Sequence, residues 1–491
     1  MTHESLDPQD WNAFRAIAHG ALDDAIDFLQ TVNSRPVWKP VPEKLRNFAD
    51  QPVPLLETPL EEVYEEFKET ILPYVTGNIH PRFFGWVHGA GQASGIIAEM
   101  LSATMNSNCG GRDHGAIYLE KRVLSWCREL FGFPAQSTGL LVSGTSMANL
   151  IALGVARNAR QDANIRTGGL KSYPRPLVAF ASAEVHSSIV KAFEILGLGS
   201  NSLREISVKP DFTIDVQCLR VAIEEERRAG REPFCVIGTA GTVNTGAIDP
   251  LDELASLCAT ERLWFHVDGA FAAMACLNES LRPRLRGLER ADSLAFDFHK
   301  WAQVQYDAGC ILVRHGDLHR AAYSMHPAYL QNSDRGLAGG TDWPSDFGPE
   351  LSRSFRALKV WFALKEHGAE RIGHIVAQNC DQARYLAQLL AKEPDFELLA
   401  PVSLNIVCFG IRCPELASAE LDQINQQIVF DLQESGVAAP STTRVRGRVA
   451  IRVNITNHRT RYSDLEVLVE AALCSARARV RMRKGGESSH A

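Results

Sequence analysis

From about Trp86 to Val313, short and wholly apolar runs alternate with longer amphipathic stretches. Leu140-Leu141-Val142, Leu177-Val178-Ala179-Phe180, Phe234-Cys235-Val236-Ile237-Gly238, Leu263-Trp264-Phe265-His266-Val267 and Cys310-Ile311-Leu312-Val313 predict strands buried on both faces. The segments between them predict helices. That alternation is the signature of a mostly parallel sheet covered by helices, with ligands at the C-terminal ends of its strands.

The flanks follow other rhythms. Phe14, Ile17, Ala18, Ala21, Leu22, Ala25 and Phe28 recur at helical spacing, and a second amphipathic segment runs from Leu60 to Leu72 after a proline-punctuated stretch. Two such helices cannot bury their apolar faces alone and must lie on the rest of the chain or on a partner subunit. His326 to Phe347 has no period and holds Gly336, Gly339 and Gly340, which marks either disorder or an active-site lid. Leu351, Phe355, Leu358, Phe362 and Lys365 then predict a helix with Gly368 as its cap. Leu404–Phe409 and Val449–Val453 are strand-like parts of a smaller α+β unit. The expected division is an N-terminal helical dimerisation segment (1–85), a large ligand-binding domain carrying a mobile lid at about 326–347 (86–345), and a small C-terminal domain (346–491).

Composition narrows the class only a little. With 491 residues, 45% hydrophobic and 22% charged, the chain is ordinary for a soluble protein of more than one domain. A net charge of −7 argues against a nucleic-acid partner. Eleven cysteines show no metal-ligand spacing, so reduced thiols, no metal and a cytoplasmic home are expected. Met1–Pro8 lacks a basic start and apolar core, and no apolar stretch approaches the roughly 18 residues of a membrane span, so neither signal peptide nor membrane partner is expected. The basic, then Gly/Ser-rich tail from Arg477 reads as a solvated helix end.

Chemistry concentrates at the predicted strand ends. Ser143-Gly144-Thr145-Ser146 lies between a strand and a helix, where hydroxyls and free amides at a helix N-terminus suit a phosphate, although plain N-capping explains the same residues. There is no GxGxxG and no Walker lysine, so dinucleotide and NTP readings are weak. His186 follows a strand and could stack on a flat ligand. Asp268 and Lys300 each end a strand-like run, one anionic and one cationic. A phosphate cup, a stacker, a carboxylate for a ring nitrogen and an imine-forming amine, in this order, point to a pyridoxal 5′-phosphate enzyme.

On these residues the chain resembles the group II pyridoxal phosphate-dependent amino acid decarboxylases, the family of aromatic-L-amino-acid, histidine and glutamate decarboxylases. The resemblance covers about residues 60 to 470 and rests on His80-Pro81-Arg82-Phe83-Phe84, Ser143–Ser146, His186-Ser187-Ser188, His266–Ala270, Asp297-Phe298-His299-Lys300-Trp301 and Phe355–Trp361. It implies an α/β, aspartate-aminotransferase-type (fold type I) architecture in a homodimer with the active site at the subunit interface. It implies that Lys300 carries the cofactor, Asp268 pairs with the ring nitrogen, His186 stacks, and Thr145 and Ser146 hold the phosphate. Asp297 would lie near the cofactor and His299 would flank the lysine. Tyr329 matches a mobile-loop tyrosine associated with protonating the α-carbon, and Arg452 matches an arginine near the substrate carboxylate. Trp86, His88, Asn108 and Ser352 complete the expected substrate contacts.

The implied reaction is decarboxylation of an L-amino acid to its amine and CO₂, with aromatic substrates ahead. Asn106-Ser107-Asn108 is similar to the glutamate branch and keeps acidic or histidine substrates as alternatives. Decarboxylation coupled to oxidation, giving an aldehyde, is a further alternative, against which Tyr329 speaks because a Phe is typical there. Val243 departs from the family's usual Thr.

Overall fold

The computed structural model describes residues 4–160, 165–325, 333–340 and 342–487. Tyr329 and residues 326–332 and 341 of the expected lid lie outside them.

The large sheet contains β1 (Thr138–Val142), β2 (Leu177–Ser182), β3 (Leu203–Ile206), β4 (Glu232–Thr239), β5 (Trp264–Asp268), β6 (Ser293–Asp297) and β7 (Gly309–Val313), in the order β1-β7-β6-β5-β4-β2-β3. From β6 through β3 neighbours run parallel, while β7 runs antiparallel to both β6 and β1. Every predicted strand is present. Alternation along each strand feeds two cores: Leu140 and Val142 pack on one face and Leu141 on the other, as do Ile311 and Val313 against Cys310 and Leu312. Helices thus cover both faces, and this is why the strands read as unbroken apolar runs.

The antiparallel turn from β6 to β7 matters for function. A parallel return needs a crossover, usually a helix, whereas an antiparallel one is free to be an irregular loop. That loop holds Phe298 to Ala308, including His299 and Lys300, at the edge where β4 and β5 also end.

A second sheet joins β8 (Phe396–Leu398), β9 (Ile406–Ile411), β10 (Ser441–Val445) and β11 (Arg448–Asn454) in the antiparallel order β10-β11-β9-β8. The His80–His88 run is stitched to this sheet: Phe84 N–H donates to Ala439 O (2.9 Å), Asn454 N–H donates to Phe84 O (3.0 Å), and the Phe84 ring joins the sheet's core. The helix Arg356–Lys392 spans the two cores, with Ala357 to Cys380 in one and Ala383 to Leu390 in the other. Gly368, expected to end a helix, instead forms a left-handed break (φ +70°) after which the helix resumes directly. The N-terminal helices Trp11–Gln30 and Leu60–Thr70 bury no residue within the chain. Trp11, Phe14, Leu60, Val63 and Phe67 are all exposed. No helix among the described residues is long and apolar enough to cross a membrane.

Candidate active site

A cleft of about 500 Å³ opens where β1, β2, β4, β5 and β6 end. Its walls include Trp86, His88, Thr145, Ser146, His186, Asp268, Asp297, His299 and Lys300, so nine residues singled out in the sequence converge on one space. The main chain of the lysine loop is closely packed. A Cβ at Gly89 would stand 2.3 Å from His299 O and 2.4 Å from Lys300 O, so only glycine lets the Gly89 segment pass.

Asp297, at the last position of β6, organises the cationic side. Its Oδ1 accepts the Thr145 N–H (2.7 Å) and its Oδ2 pairs with Lys300 Nζ (2.7 Å). One buried carboxylate therefore ties the lysine to the N-terminus of the helix Thr145–Asn158. His299 is fixed by the Ala308 N–H, which donates to its Nδ1 (3.0 Å), and by the Tyr306 ring at 4.3 Å. Burial holds the His299 pKa below its ordinary value against the opposing charge of Asp297.

Asp268, the last residue of β5, accepts the Ala270 N–H at Oδ1 (3.1 Å) and an Asn149 amide N–H at Oδ2 (2.9 Å). Asn149 is the hub of a longer chain. Its other contacts are Ser188 Oγ (3.1 Å), which accepts from it, and His266 Nε2 (2.9 Å), which must donate because an amide oxygen only accepts. His266 Nδ1 is then an acceptor and takes the Ser293 hydroxyl (2.8 Å), whose oxygen accepts the Trp264 indole N–H (2.8 Å). At the far end Ser188 gives its hydroxyl (2.8 Å) and its backbone N–H (3.1 Å) to His186 Nδ1. Every link points one way, from Trp264 toward Asp268 and His186. Burial drives the His266 pKa down to about 4, keeping the ring neutral as the chain requires. Burial also lowers the His186 pKa, with Asp268 opposing. The imidazole of His186 remains open to the cleft.

Two hydroxyls facing this cleft, Thr145 Oγ1 and Thr239 Oγ1, are buried without a hydrogen-bond partner among the described residues. Buried polar atoms are seldom left so. Thr145 stands at a helix N-terminus whose cap residue, Gly144, offers no side-chain acceptor. A phosphate at that end would satisfy the hydroxyl and the dipole together, so the residues fit pyridoxal phosphate.

Three expected contacts lie elsewhere. Asn108 is committed to its own turn, its Oδ1 accepting the Gly110 and Arg353 N–H groups (both 3.0 Å), and Ser352 beside it is exposed; neither lines this chain's cleft. Arg452 is buried, and its guanidinium donates to Val243 O (2.9 Å), Trp86 O (2.9 Å) and Ser441 Oγ (3.4 Å). It braces two wall residues from behind and does not itself line the cleft. Sequence reasoning missed Asn149, although it lies four residues after Thr145 on the same helical face, a spacing that could have revealed it. It read Thr239 only as part of a polar turn, and it missed Tyr306 and the structural role of His266.

A sequence profile of the pyridoxal-dependent decarboxylase conserved domain matches residues 42–412. The aromatic-L-amino-acid decarboxylase of Bacillus atrophaeus is 34% identical, over 92% of this chain and 93% of the relative. Tryptophan decarboxylase 2 of Oryza sativa subsp. japonica is 28% identical over 91% of each chain, and phenylacetaldehyde synthase of Petunia hybrida is 27% identical over 95% and 94%. The crystal structure of Oryza sativa TDC with PLP and tryptamine superposes with a TM-score of 0.88 at 25% identity, covering 96% of this chain and 99% of that one. The fold is accordingly the α/β fold type I of these enzymes, and the chain belongs to the pyridoxal-dependent decarboxylase family.

Proposed function

We propose that this protein decarboxylates an aromatic L-amino acid to its amine and CO₂, acting as a cytoplasmic homodimer. The observation that carries the reading is the convergence of Lys300, Asp268, His186 and Thr145 on one cleft with an aromatic wall. Lys300 would hold the cofactor's aldehyde carbon, Asp268 its ring nitrogen, His186 its face, and Thr145 and Ser146 its phosphate. Bound pyridoxal phosphate supplies the electron sink for the pair left behind when CO₂ departs.

The protein's own residues do the rest. Asp297 holds the Lys300 amine at the cleft floor, and the hydrogen-bond chain through Asn149 fixes the Asp268 carboxylate where a protonated ring nitrogen would meet it. Trp86, Val87, Phe271 and Tyr306 line the wall that a substrate side chain would meet. Among the described lining residues Lys300 is the one lysine or arginine, and Arg452 is spent on backbone carbonyls and a serine hydroxyl. A second carboxylate on the substrate would therefore enter without a cationic partner, which favours aromatic over acidic side chains. The names of the relatives point the same way.

The exposed apolar faces of the two N-terminal helices support a partner subunit. Asn108 and Ser352, adjacent but outside this chain's cleft, would then serve the partner's site. Tyr329 would deliver the proton to Cα, and its identity favours the amine over the aldehyde made by a phenylacetaldehyde synthase. The test is to incubate the cofactor-loaded protein with tyrosine, tryptophan, phenylalanine, Dopa, 5-hydroxytryptophan, histidine, glutamate and aspartate, measuring CO₂, amine, ammonia and peroxide. Amine with CO₂ from aromatic substrates alone is expected. Ammonia with peroxide would establish the aldehyde reaction instead, and turnover of glutamate over tyrosine would overturn the aromatic reading. In the Tyr329→Phe variant, cofactor content should persist while amine formation slows or gives way to aldehyde.

A further inference from the structure

Three histidines line the cleft, and two are tied to the protein: His186 through Ser188 and His299 through Ala308. His88 differs. Among the described residues neither of its ring nitrogens has a hydrogen-bond partner, although the side chain is half-buried. Its position is set by other means. The Phe83 ring stacks on it at 5.7 Å and 18°, the Trp86 ring at 5.8 Å and 26°, and the Tyr306 ring meets it edge-on at 6.0 Å. Its backbone oxygen accepts the Thr456 hydroxyl at 2.7 Å, so the main chain is pinned as well. The result is a rigid imidazole whose polar edge is unspent, set within an otherwise aromatic wall.

Burial and the charge of Lys300 both hold the His88 pKa below its ordinary value, so near neutral pH the ring carries one N–H and one lone pair. A phenol offers one of each in return, and an indole N–H offers a donor. An unsubstituted phenyl ring offers neither and would desolvate the imidazole without compensation.

We propose that His88 is a specificity-determining residue that reads a hydroxyl or ring N–H on the substrate's aromatic side chain, so that hydroxyphenyl and indole amino acids are preferred to phenylalanine. The inference rests on the aromatic decarboxylase reading and narrows it. Sites built to hydrogen-bond a substrate group discriminate strongly against the analogue that lacks it. His88 is only half-buried, so the expected preference for tyrosine over phenylalanine is modest, about 10-fold in kcat/KM.

The test compares the cofactor-loaded wild type with His88→Phe, which keeps a ring in the stack, and His88→Asn, which keeps a donor and an acceptor. Two readouts are needed: kcat/KM for tyrosine and phenylalanine, and calorimetric Kd for 3-(4-hydroxyphenyl)propanoate and 3-phenylpropanoate, which lack the reacting amine. The wild type should favour the hydroxylated member of each pair by about 10-fold, His88→Phe should lose that preference, and His88→Asn should recover part of it. An unchanged ratio in His88→Phe, or a wild type that handles both members equally while decarboxylating them, overturns the role of His88 and leaves the aromatic reading intact. Turnover of none of tyrosine, phenylalanine and tryptophan overturns both.

Discussion

Two aspartates lie a strand apart and are buried alike, Asp249 at 1% exposure and Asp268 at 3%, yet their surroundings differ. Asp249 spends both oxygens on backbone: the Ile214 N–H donates to Oδ1 (2.8 Å) and the Thr239 N–H to Oδ2 (2.8 Å). It staples the end of β4 to the strand-like turn around Ile214 and faces no ligand. Asp268 takes one backbone and one side-chain N–H and still lines the cleft. Burial raises the Asp249 pKa to about 6 despite its two donors. Burial depth therefore says little about which carboxylate does chemistry. What separates them is whether an open space lies against the carboxylate and whether its donors come from side chains that can themselves be positioned.

The comparison breaks most sharply at Asp268. Replacing Asp268 with Asn should lower kcat by about 100-fold or more, as for loss of a group that stabilises developing charge, while the unfolding midpoint of the cofactor-free protein moves little. Equal losses of activity and stability would make Asp268 a second staple.

Acid acts on stability rather than on turnover, and the two kinds of buried group oppose each other. His80, His266, His319 and His458 have pKa values pushed from 6.5 down to about 4 by burial. Their unfolded forms take up protons first, so stability is full above 6.5 and is lost as pH falls toward 4. Asp249, raised from 3.8 to about 6, has the opposite sign: its contribution is full below 3.8 and is lost as pH rises through 6. Four groups outweigh one, so going from pH 7 to pH 5 should cost about 6 kcal/mol in urea unfolding of the cofactor-free protein. A flat profile would show that these histidines are hydrated in solution.

Asp249→Asn comes third. An amide nitrogen would face one of the two N–H donors, costing about 1–3 kcal/mol of stability, whereas kcat per loaded site should stay within a few-fold. The smallest effect sharpens the contrast on the Asp268 side. Asn149→Leu removes the donor to Asp268 and to Ser188 together, and cofactor affinity measured by dialysis and visible absorbance should fall about 10-fold, by analogy with other second-layer ligands. Unaltered affinity would mean that the Ala270 N–H alone orients the carboxylate.

Much of this architecture was legible because strands buried on both faces must be continuously apolar, and the polar residue that ends such a run must sit at the sheet's edge. Asp268 and Lys300 were singled out that way, whereas Asp297 came from the resemblance. The edge strand Leu203–Ile206 was not legible, because the adjacent charged pair Arg204 and Glu205, neither of them buried, breaks the apolar run. Asp249 precedes Pro250 and a helix, so it reads as a surface turn, and only the tertiary arrival of Ile214 makes it a buried staple. Asn108 and Ser352 carried a resemblance but no local pattern that says which chain's cleft they would line. Arg452 was assigned to the substrate by resemblance alone; here its guanidinium donates to Val243 O, Trp86 O and Ser441 Oγ.

That arginine has a consequence for when the site can exist. Its guanidinium joins β11 to Trp86 O and Val243 O, partners 366 and 209 residues away along the chain. Both contacts need β11, so neither can form before Arg452 has been synthesised. Until β11 is synthesised and docked, the carbonyls behind both cleft walls lack their donor. A nascent chain that has already formed the large sheet, with Lys300 in place, would thus hold an unfinished cleft, and retention of the cofactor should begin only once the C-terminal sheet closes behind it.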